Sequence, residues 1–293
     1  VASLGLVLHP EILFVNGPVR LTKTQLKVAD YILSHASNVQ FMTAADLGRE
    51  LEVSDATVVR LAQTLGFEGF SQLKKHLRQH IMPSLDTVSR MEETVEDIHS
   101  VGDVLRAVMQ TDLENLRQTA EATSSQTFSD VVGVLKRANE IHIIGLRSAH
   151  ALASFLASGL RFLGRRVHLL SPGIGYLWAD VRGLDKGSVL VAFSFPRYTK
   201  VTIEVAEEAH RAGATVISFT DSSLSPLAIA SDYVLPASYS IKSYMESYVA
   251  ALSLLNALLT AIAFKDAKSS LNHLGQLEKI WREKGVYFHE QGG

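Results

Sequence analysis

Two hydrophobic periods divide this chain. Up to about Ile81 apolar positions recur every three or four residues, a helical period. In LTKTQLKVADYILSH the stripe is Leu26, Ala29, Ile32 and Leu33, and Thr22 with Gln25 three residues on predicts a capping box. FMTAADLGREL repeats the arrangement, with Thr43 as cap, Asp46 three residues later, and Ala44, Leu47 and Leu51 facing inward. The chain then turns through Glu52 and Val53 and restarts at Ser54, an N-cap, followed by Asp55 at the positive end of the new helix. In SDATVVRLAQTLGF, Val58, Leu61, Ala62 and Leu65 form the inner face and Gly66 ends the helix. FSQLKKHLRQHI buries Phe70, Leu73, Leu77 and Ile81 and turns Lys74, Lys75 and Arg78 outward.

The second half alternates differently. Continuous apolar runs read as strands at IHIIG, RVHLL (Arg166 to Leu170), SVLVAFS (Ser188 to Ser194), TVISFTD (Thr215 to Asp221) and DYVLP. Amphipathic stretches at Phe128 to Lys136, Ala149 to Leu163, Thr199 to Ala212, Tyr244 to Phe264 and Leu271 to Lys284 read as helices. This pattern predicts a parallel sheet covered on both faces. Between the halves, PSLDTVSRMEETVEDIHSVGD is polar and carries Pro83 and Gly102, so it reads as a connector. A helix over Asp103 to Ala120 follows, with Val104, Val108, Leu113 and Leu116 as inner positions, docked on the second domain or paired with another subunit.

A short helix, a turn of about three residues and a second capped helix is helix-turn-helix geometry, whose second helix enters the major groove of DNA. The face opposite its core stripe offers Ala56, Thr57, Arg60, Gln63 and Thr64, with Ser54 at its start. Thr57 and Arg60 suit base edges, and Lys74, Lys75 and Arg78 suit phosphates. The competing reading is a small helical bundle with a solvated charged face.

Ligands of parallel sheets collect at the carboxyl ends of the strands. The loops there are Gly145 to His150, Ser194 to Lys200 and Thr220 to Pro226, all rich in hydroxyls and helix starts. Such loops favour an anion, and Arg147 and Arg197 add bidentate donors. Alternatives stand beside this. Ser148, Thr199 and Ser225 also suit plain helix caps, and the arginines also suit pairing with Asp180, Glu246 or a neighbouring subunit. Tyr198 suits either stacking on a sugar ring or covering its loop, and Glu246 either the site or a solvated helix start.

The run ADYILSH…ADLGRELEVSDATVVRLAQTLGFEGFSQLKKHL resembles the N-terminal domain of the RpiR family of bacterial transcriptional regulators, most specifically in SDATVVR followed by LGFEGF. That resemblance implies a C-terminal sugar-isomerase (SIS) domain that binds phosphosugars. GLRSAHALASFLASGLRFLG is similar to the first strand-loop-helix of that domain, SFPRYTK takes the place of its S-x-S-G-x-T loop, and TDSSLSPLAIASD resembles its third segment. By position, Ser148, Ser194 and Thr199 are then phosphate-loop hydroxyls, and Glu246 matches a glutamate near the ligand. Arg147 stands where the second glycine of the first loop is expected, Ala149 where Ser is common, and Pro196-Arg197-Tyr198 where the second loop has S-G. These departures take the ligand away from a standard phosphosugar.

Composition narrows the classes further. Of 293 residues, 28 are Lys or Arg and 30 are Asp or Glu, so the net charge of −2 argues against coating nucleic acid along the whole surface and leaves room for a local basic face. With no cysteine, disulfides, thiolate catalysis and Cys-based zinc sites are excluded, and a cytoplasmic location is expected. The apolar run Val249 to Phe264 is too short for a membrane span and reads as a fully buried helix. Among the 11 histidines, His150 and His273 could approach the loops, while His142 and His168 lie in successive strands; none sits in a motif, and no metal is expected.

The expectation is an N-terminal all-α helix-turn-helix domain over residues 1–90, with 1–20 as a leader. A linker and connecting helix follow over 91–125, then a C-terminal SIS-like α/β domain, an αβα sandwich about a parallel sheet, over 126–293. It would regulate transcription, reading operator DNA as a homodimer or homotetramer and sensing a small anionic, sugar-like effector, without cofactor or membrane. The alternative is a SIS-type sugar-phosphate isomerase with an appended helical domain, in which Glu246 and a histidine would be the candidate bases.

Overall fold

The computed structural model describes residues 21–34, 39, 42–74, 86–171, 173, 176–223 and 225–288. The chain forms two compact units, one of residues 1–99 with 240–244 and one of 100–239 with 245–293.

In the first unit, α1 (Lys23–Ser34), α2 (Ala44–Leu51) and α3 (Asp55–Thr64) surround one apolar core, and residues 70–74 are again helical. Val58, Leu61 and Ala62 are fully buried, as are Leu47 and Leu73. Each such Leu or Val contributes about 1.5–3 kcal/mol of burial. Both expected capping boxes form: Thr22 with Gln25, and Thr43 with Asp46. The α1 stripe is corrected. Leu26 is exposed and Val28 is buried in its place, because the helix turns its Val28-Ala29-Ile32 edge to the core. The side chain of Leu33, together with Lys75, Leu77, Arg78, Ile81, Pro83 and the 1–20 leader, lies outside the described residues.

The polar connector is not featureless. Asp86 caps α4 (Thr87–Asp97) through hydrogen bonds from the Val88 and Ser89 amides, so a run with few apolar positions still starts a helix. Lys242 is ion-paired with Asp97 at 2.6 Å within the same unit.

The second unit opens with α5 (Val101–Ala122) and α6 (Ser125–Arg137). Strands β1 (Glu140–Gly145), β2 (Val167–Leu170), β3 (Ser188–Phe193), β4 (Thr215–Thr220) and β5 (Tyr233–Pro236) form one parallel sheet in the order β2-β1-β3-β4-β5. Between them run α7 (His150–Phe162), α8 (Tyr176–Arg182), α9 (Lys200–Arg211) and the single turn α10 (Pro226–Ile229). Last come α11 (Val249–Lys265) and α12 (Ala267–Glu283). Leu177 and Val181 of α8 and Val205, Ala206 and Ala209 of α9 cover one sheet face.

Three expectations change here. The inner positions of α5 are Asn115 and Thr119, whereas Val104 and Leu113 are exposed. Polar residues turn inward because they hold the chain leaving β5: the Thr119 hydroxyl accepts the Ser238 amide at 2.8 Å, and the Ser238 hydroxyl donates to Asn115 at 3.1 Å. The Gly-rich loop after β2 leads into α8, a helix the sequence pattern did not suggest. Finally, α11 starts at Val249 rather than Tyr244 and is buried on one side only, with Ser253, Asn256 and Thr260 exposed. Among the described residues no single helix is long and apolar enough to cross a membrane.

Candidate functional site

In the first unit, α3 begins where its cap is satisfied. The Ser54 hydroxyl accepts the Thr57 amide at 3.2 Å and lies 2.8 Å from the Thr57 hydroxyl. Glu52 adopts φ 56 in the turn before it, the left-handed state that closes α2 and redirects the chain. Gly48 lets the two helices approach: a Cβ there would meet the Val53 carbonyl oxygen at 2.8 Å. With Val58, Leu61 and Ala62 held in the core, Ala56, Arg60 and Gln63 are exposed on the opposite face and Thr57 is half-buried. The Arg60 Nε donates to the Ala56 carbonyl at 3.3 Å, which steadies the side chain along the helix.

Two residues of the expected DNA face also make contacts within the domain. The Thr64 hydroxyl donates to the Arg60 carbonyl at 2.7 Å and accepts from Gln25 at 3.1 Å. Lys74 donates to the Met42 carbonyl at 3.0 Å and sits over the Phe70 ring.

In the second unit a shallow cleft opens at the carboxyl ends of β1 and β3. Arg147, Ser148, Ser194, Arg197, Thr199 and Glu246 all line it. Gly145 is what lets the first loop fold over the strand end, since a Cβ there would meet the Ala149 carbonyl oxygen at 2.5 Å. The Ser194 hydroxyl closes the second loop by accepting the Thr199 amide at 3.2 Å. Neither Ser148 nor Thr199 serves as a side-chain helix cap; the Ser148 hydroxyl lies 3.1 Å from the Tyr248 hydroxyl instead.

Arg147 and Arg197 are both left-handed, at φ 57 and φ 64. A non-glycine residue there costs about 1–2 kcal/mol. Among the described residues neither guanidinium has a hydrogen-bond or ion-pair partner, so pairing with Asp180 or Glu246 is not what holds them. Two exposed cations thus sit on left-handed backbone at one cleft. Such strain is kept where a site needs the side chain.

The third loop and Tyr198 are corrections. No described residue of Thr220 to Pro226 lines the cleft. Ser225 caps α10, accepting the Ala228 amide, and takes a hydrogen bond from Thr220. Tyr198 turns away from the cleft and donates to Asp221 at 2.8 Å, so it covers its loop. Burial first, and the Asp221 carboxylate second, push its phenol well above the usual range. The third loop thus braces the second from behind. His150 and His273 do not reach the cleft either: His150 lies against the Gly145 carbonyl and His273 packs on Gly164.

Tyr248 and Phe195 are cleft residues that the sequence pattern did not suggest. Phe195 stacks on Tyr239 at 5.2 Å and meets Tyr248 at 5.3 Å, an aromatic floor. Tyr248 was hidden because its segment read as the first turns of a long helix. In the fold that segment is irregular, pinned by the Ser247 hydroxyl donating to Asp112 of α5.

Comparison with known proteins fits both units. Residues 16–84 match the model of the helix-turn-helix domain of the rpiR family, and residues 134–261 match the SIS domain. A protein of Haemophilus influenzae described as an uncharacterized HTH-type transcriptional regulator is 29% identical over 218 residues, 73% of this chain and 75% of that one. The crystal structure of the sugar isomerase domain of an RpiR transcription factor from Sphaerobacter thermophilus is 29% identical, covering 59% of this chain and 97% of that one, with a TM-score of 0.57. The Vibrio vulnificus NanR protein, complexed with ManNAc-6P, shares the fold at 24% identity over 90% of this chain and 94% of that one, with a TM-score of 0.59.

Proposed function

Because the chain belongs to the RpiR family, and is a DNA-binding transcriptional regulator with a SIS sensing domain, we propose how its residues divide that work. Helix α3 reads operator DNA in the major groove, with Thr57, Arg60 and Gln63 at base edges and Ser54 and Ala56 close to the backbone. The cleft binds a sugar phosphate or related anionic carbohydrate. Arg147 and Arg197 hold the anion, Ser148, Ser194 and Thr199 supply hydroxyls, and Glu246 takes sugar hydroxyls on the other side.

The observation that carries this reading is the pair of unpartnered, left-handed arginines at the carboxyl edge of a parallel sheet. An anion bound there is held by charged forks as well as by backbone amides. We read the ligand as sensed rather than turned over, a reading supported by the helix-turn-helix unit that accompanies the cleft on the same chain. Binding shifts DNA affinity only as far as it favours one arrangement of the two domains. The protein works in the cytoplasm as a homodimer or homotetramer, and the exposed stripe Val101, Leu105, Met109 and Leu113 along α5 supports self-association.

A thermal-shift panel of sugar phosphates, sugar acids and inositols, with ManNAc-6P included, tests the cleft. At least one anionic sugar should raise Tm, because a ligand that binds only the folded state stabilises it. No shift with any anionic member, or equal shifts with the uncharged sugars, overturns the assignment. Steady-state isomerisation that dies with Glu246→Gln overturns the sensing role.

A further inference from the structure

We propose that the second unit carries a site for one divalent transition-metal ion of the zinc class, held by Glu140, His142 and His168, where edge strand β2 meets β1. Parallel pairing makes it. Glu140 and His142 are two apart on β1, so they share a face, and register sets His168 of β2 directly beside His142. One ligand atom from each of the three residues falls within 4.8 Å of the others. The Glu140 Oε2 lies 3.9 Å from the His142 Nε2 and 3.6 Å from the His168 Nε2.

Two imidazoles and a carboxylate are a donor set for zinc and its neighbours, not for magnesium or calcium. Donors on a tetrahedral ion at about 2.0–2.2 Å stand about 3.3–3.6 Å apart, so the two Glu140 pairs close by a few tenths of an ångström, while the two imidazole nitrogens, within 4.8 Å, close by up to roughly 1.5 Å. The two rings stack at 4.7 Å on neighbouring strands, so the half-exposed His168 ring turns out of the stack for both in-plane lone pairs to converge on one ion.

His142 makes the cluster more than a surface coincidence. It is 8% exposed, its Nδ1 is buried without a hydrogen-bond partner, and among the described residues its Nε2 has only the Glu140 carboxylate, beyond hydrogen-bond reach. The fold has therefore buried an imidazole whose polar demand the chain does not meet. Asp180 and Asp185 are further carboxylates near His142, and Arg165 and Arg166 line the same groove as Glu140 and Asp185. His168 and Glu140 are open to solvent, which gives the ion a path in and water to complete its shell. The site lies toward the amino ends of the strands, away from the anion cleft, and an ion there would clamp the edge strand to its neighbour.

The test uses the full chain, free of any histidine tag and stripped with chelator. Titration with CoCl2 should give one saturable visible absorption band at one equivalent, and ZnCl2 should raise Tm where MgCl2 does not. His168→Ala and Glu140→Gln should each weaken Co²⁺ binding at least about tenfold; both side chains are half-exposed, so folding survives, which circular dichroism checks. His210→Ala, a histidine beside Asp232 outside the triad, should leave the band unchanged. Absence of a saturable band, unchanged affinity in both triad variants, or loss of the band in His210→Ala would each overturn the site.

Discussion

Arg147 and Arg197 concentrate the functional argument into two residues. Glycine would adopt φ 57 and φ 64 without steric cost, so each arginine exchanges some stability for a charge at the cleft. Arg147→Gly and Arg197→Gly should therefore leave Tm unchanged or raise it by a few degrees, at about 2–4 °C per kcal/mol for a domain of this size. Effector affinity by calorimetry should fall at least about tenfold in each. A lower Tm with normal affinity would mean that the arginines are structural. Tyr198 makes the opposite case, a candidate ligand residue absorbed by the scaffold. Its folded-state pKa is raised, so above about pH 10 the unfolded chain loses the phenolic proton while the folded chain keeps it. By linkage the folded state then loses stability as pH rises. Tyr198→Phe should show a shallower fall of stability between pH 9 and 11 in urea titrations.

At the scale of elements, the helix-turn-helix depends on how closely α2 passes the turn before α3. A methyl at Gly48 would meet the backbone of the turn, Val53 O at 2.8 Å and Asp55 N at 3.2 Å. The higher helix propensity of alanine does not offset a clash with backbone that cannot rotate away. Gly48→Ala should cost about 1–3 kcal/mol in denaturant unfolding and weaken operator binding. Gly69→Ala, where a Cβ meets nothing within 4 Å, is the control and should be neutral. Equal effects at both positions would remove the close approach as the cause. Elements also explain the missed cleft residues. The segment before α11 has helical composition, yet Ser247 and Ser238 are drawn to α5 by hydrogen bonds across more than a hundred residues of sequence.

At the scale of the molecule, the two functions should separate by mutation and couple by ligand. Arg60→Ala should weaken operator binding and relax base preference by about 1–3 kcal/mol while effector affinity stays unchanged. Arg197→Ala should do the reverse. In the intact chain the effector should change operator affinity by roughly 5–150-fold, the span of a coupling of about 1–3 kcal/mol, and operator DNA should change effector affinity by the same factor. Footprinting with calorimetry measures both arms. If effector and operator bind independently, the sensing role fails even though each site is real.

Reading along the chain was enough for whatever depends on near neighbours. Thr43 with Asp46, Ser54 as a cap, the inward face of α3 and the five strands are local facts of period and capping, and all stand in the structure. The chain's departures from glycine at Arg147 and Arg197 were visible too, although their left-handed backbone was not. Contacts between distant segments were decided by packing. Lys74 turned to a carbonyl, Tyr198 to Asp221, Asn115 and Thr119 to the exit of β5, and His142 to His168 across the β1–β2 pairing. In each case a polar group entering the interior had to find whichever partner the fold brought within reach, and that partner lies at no fixed distance in sequence.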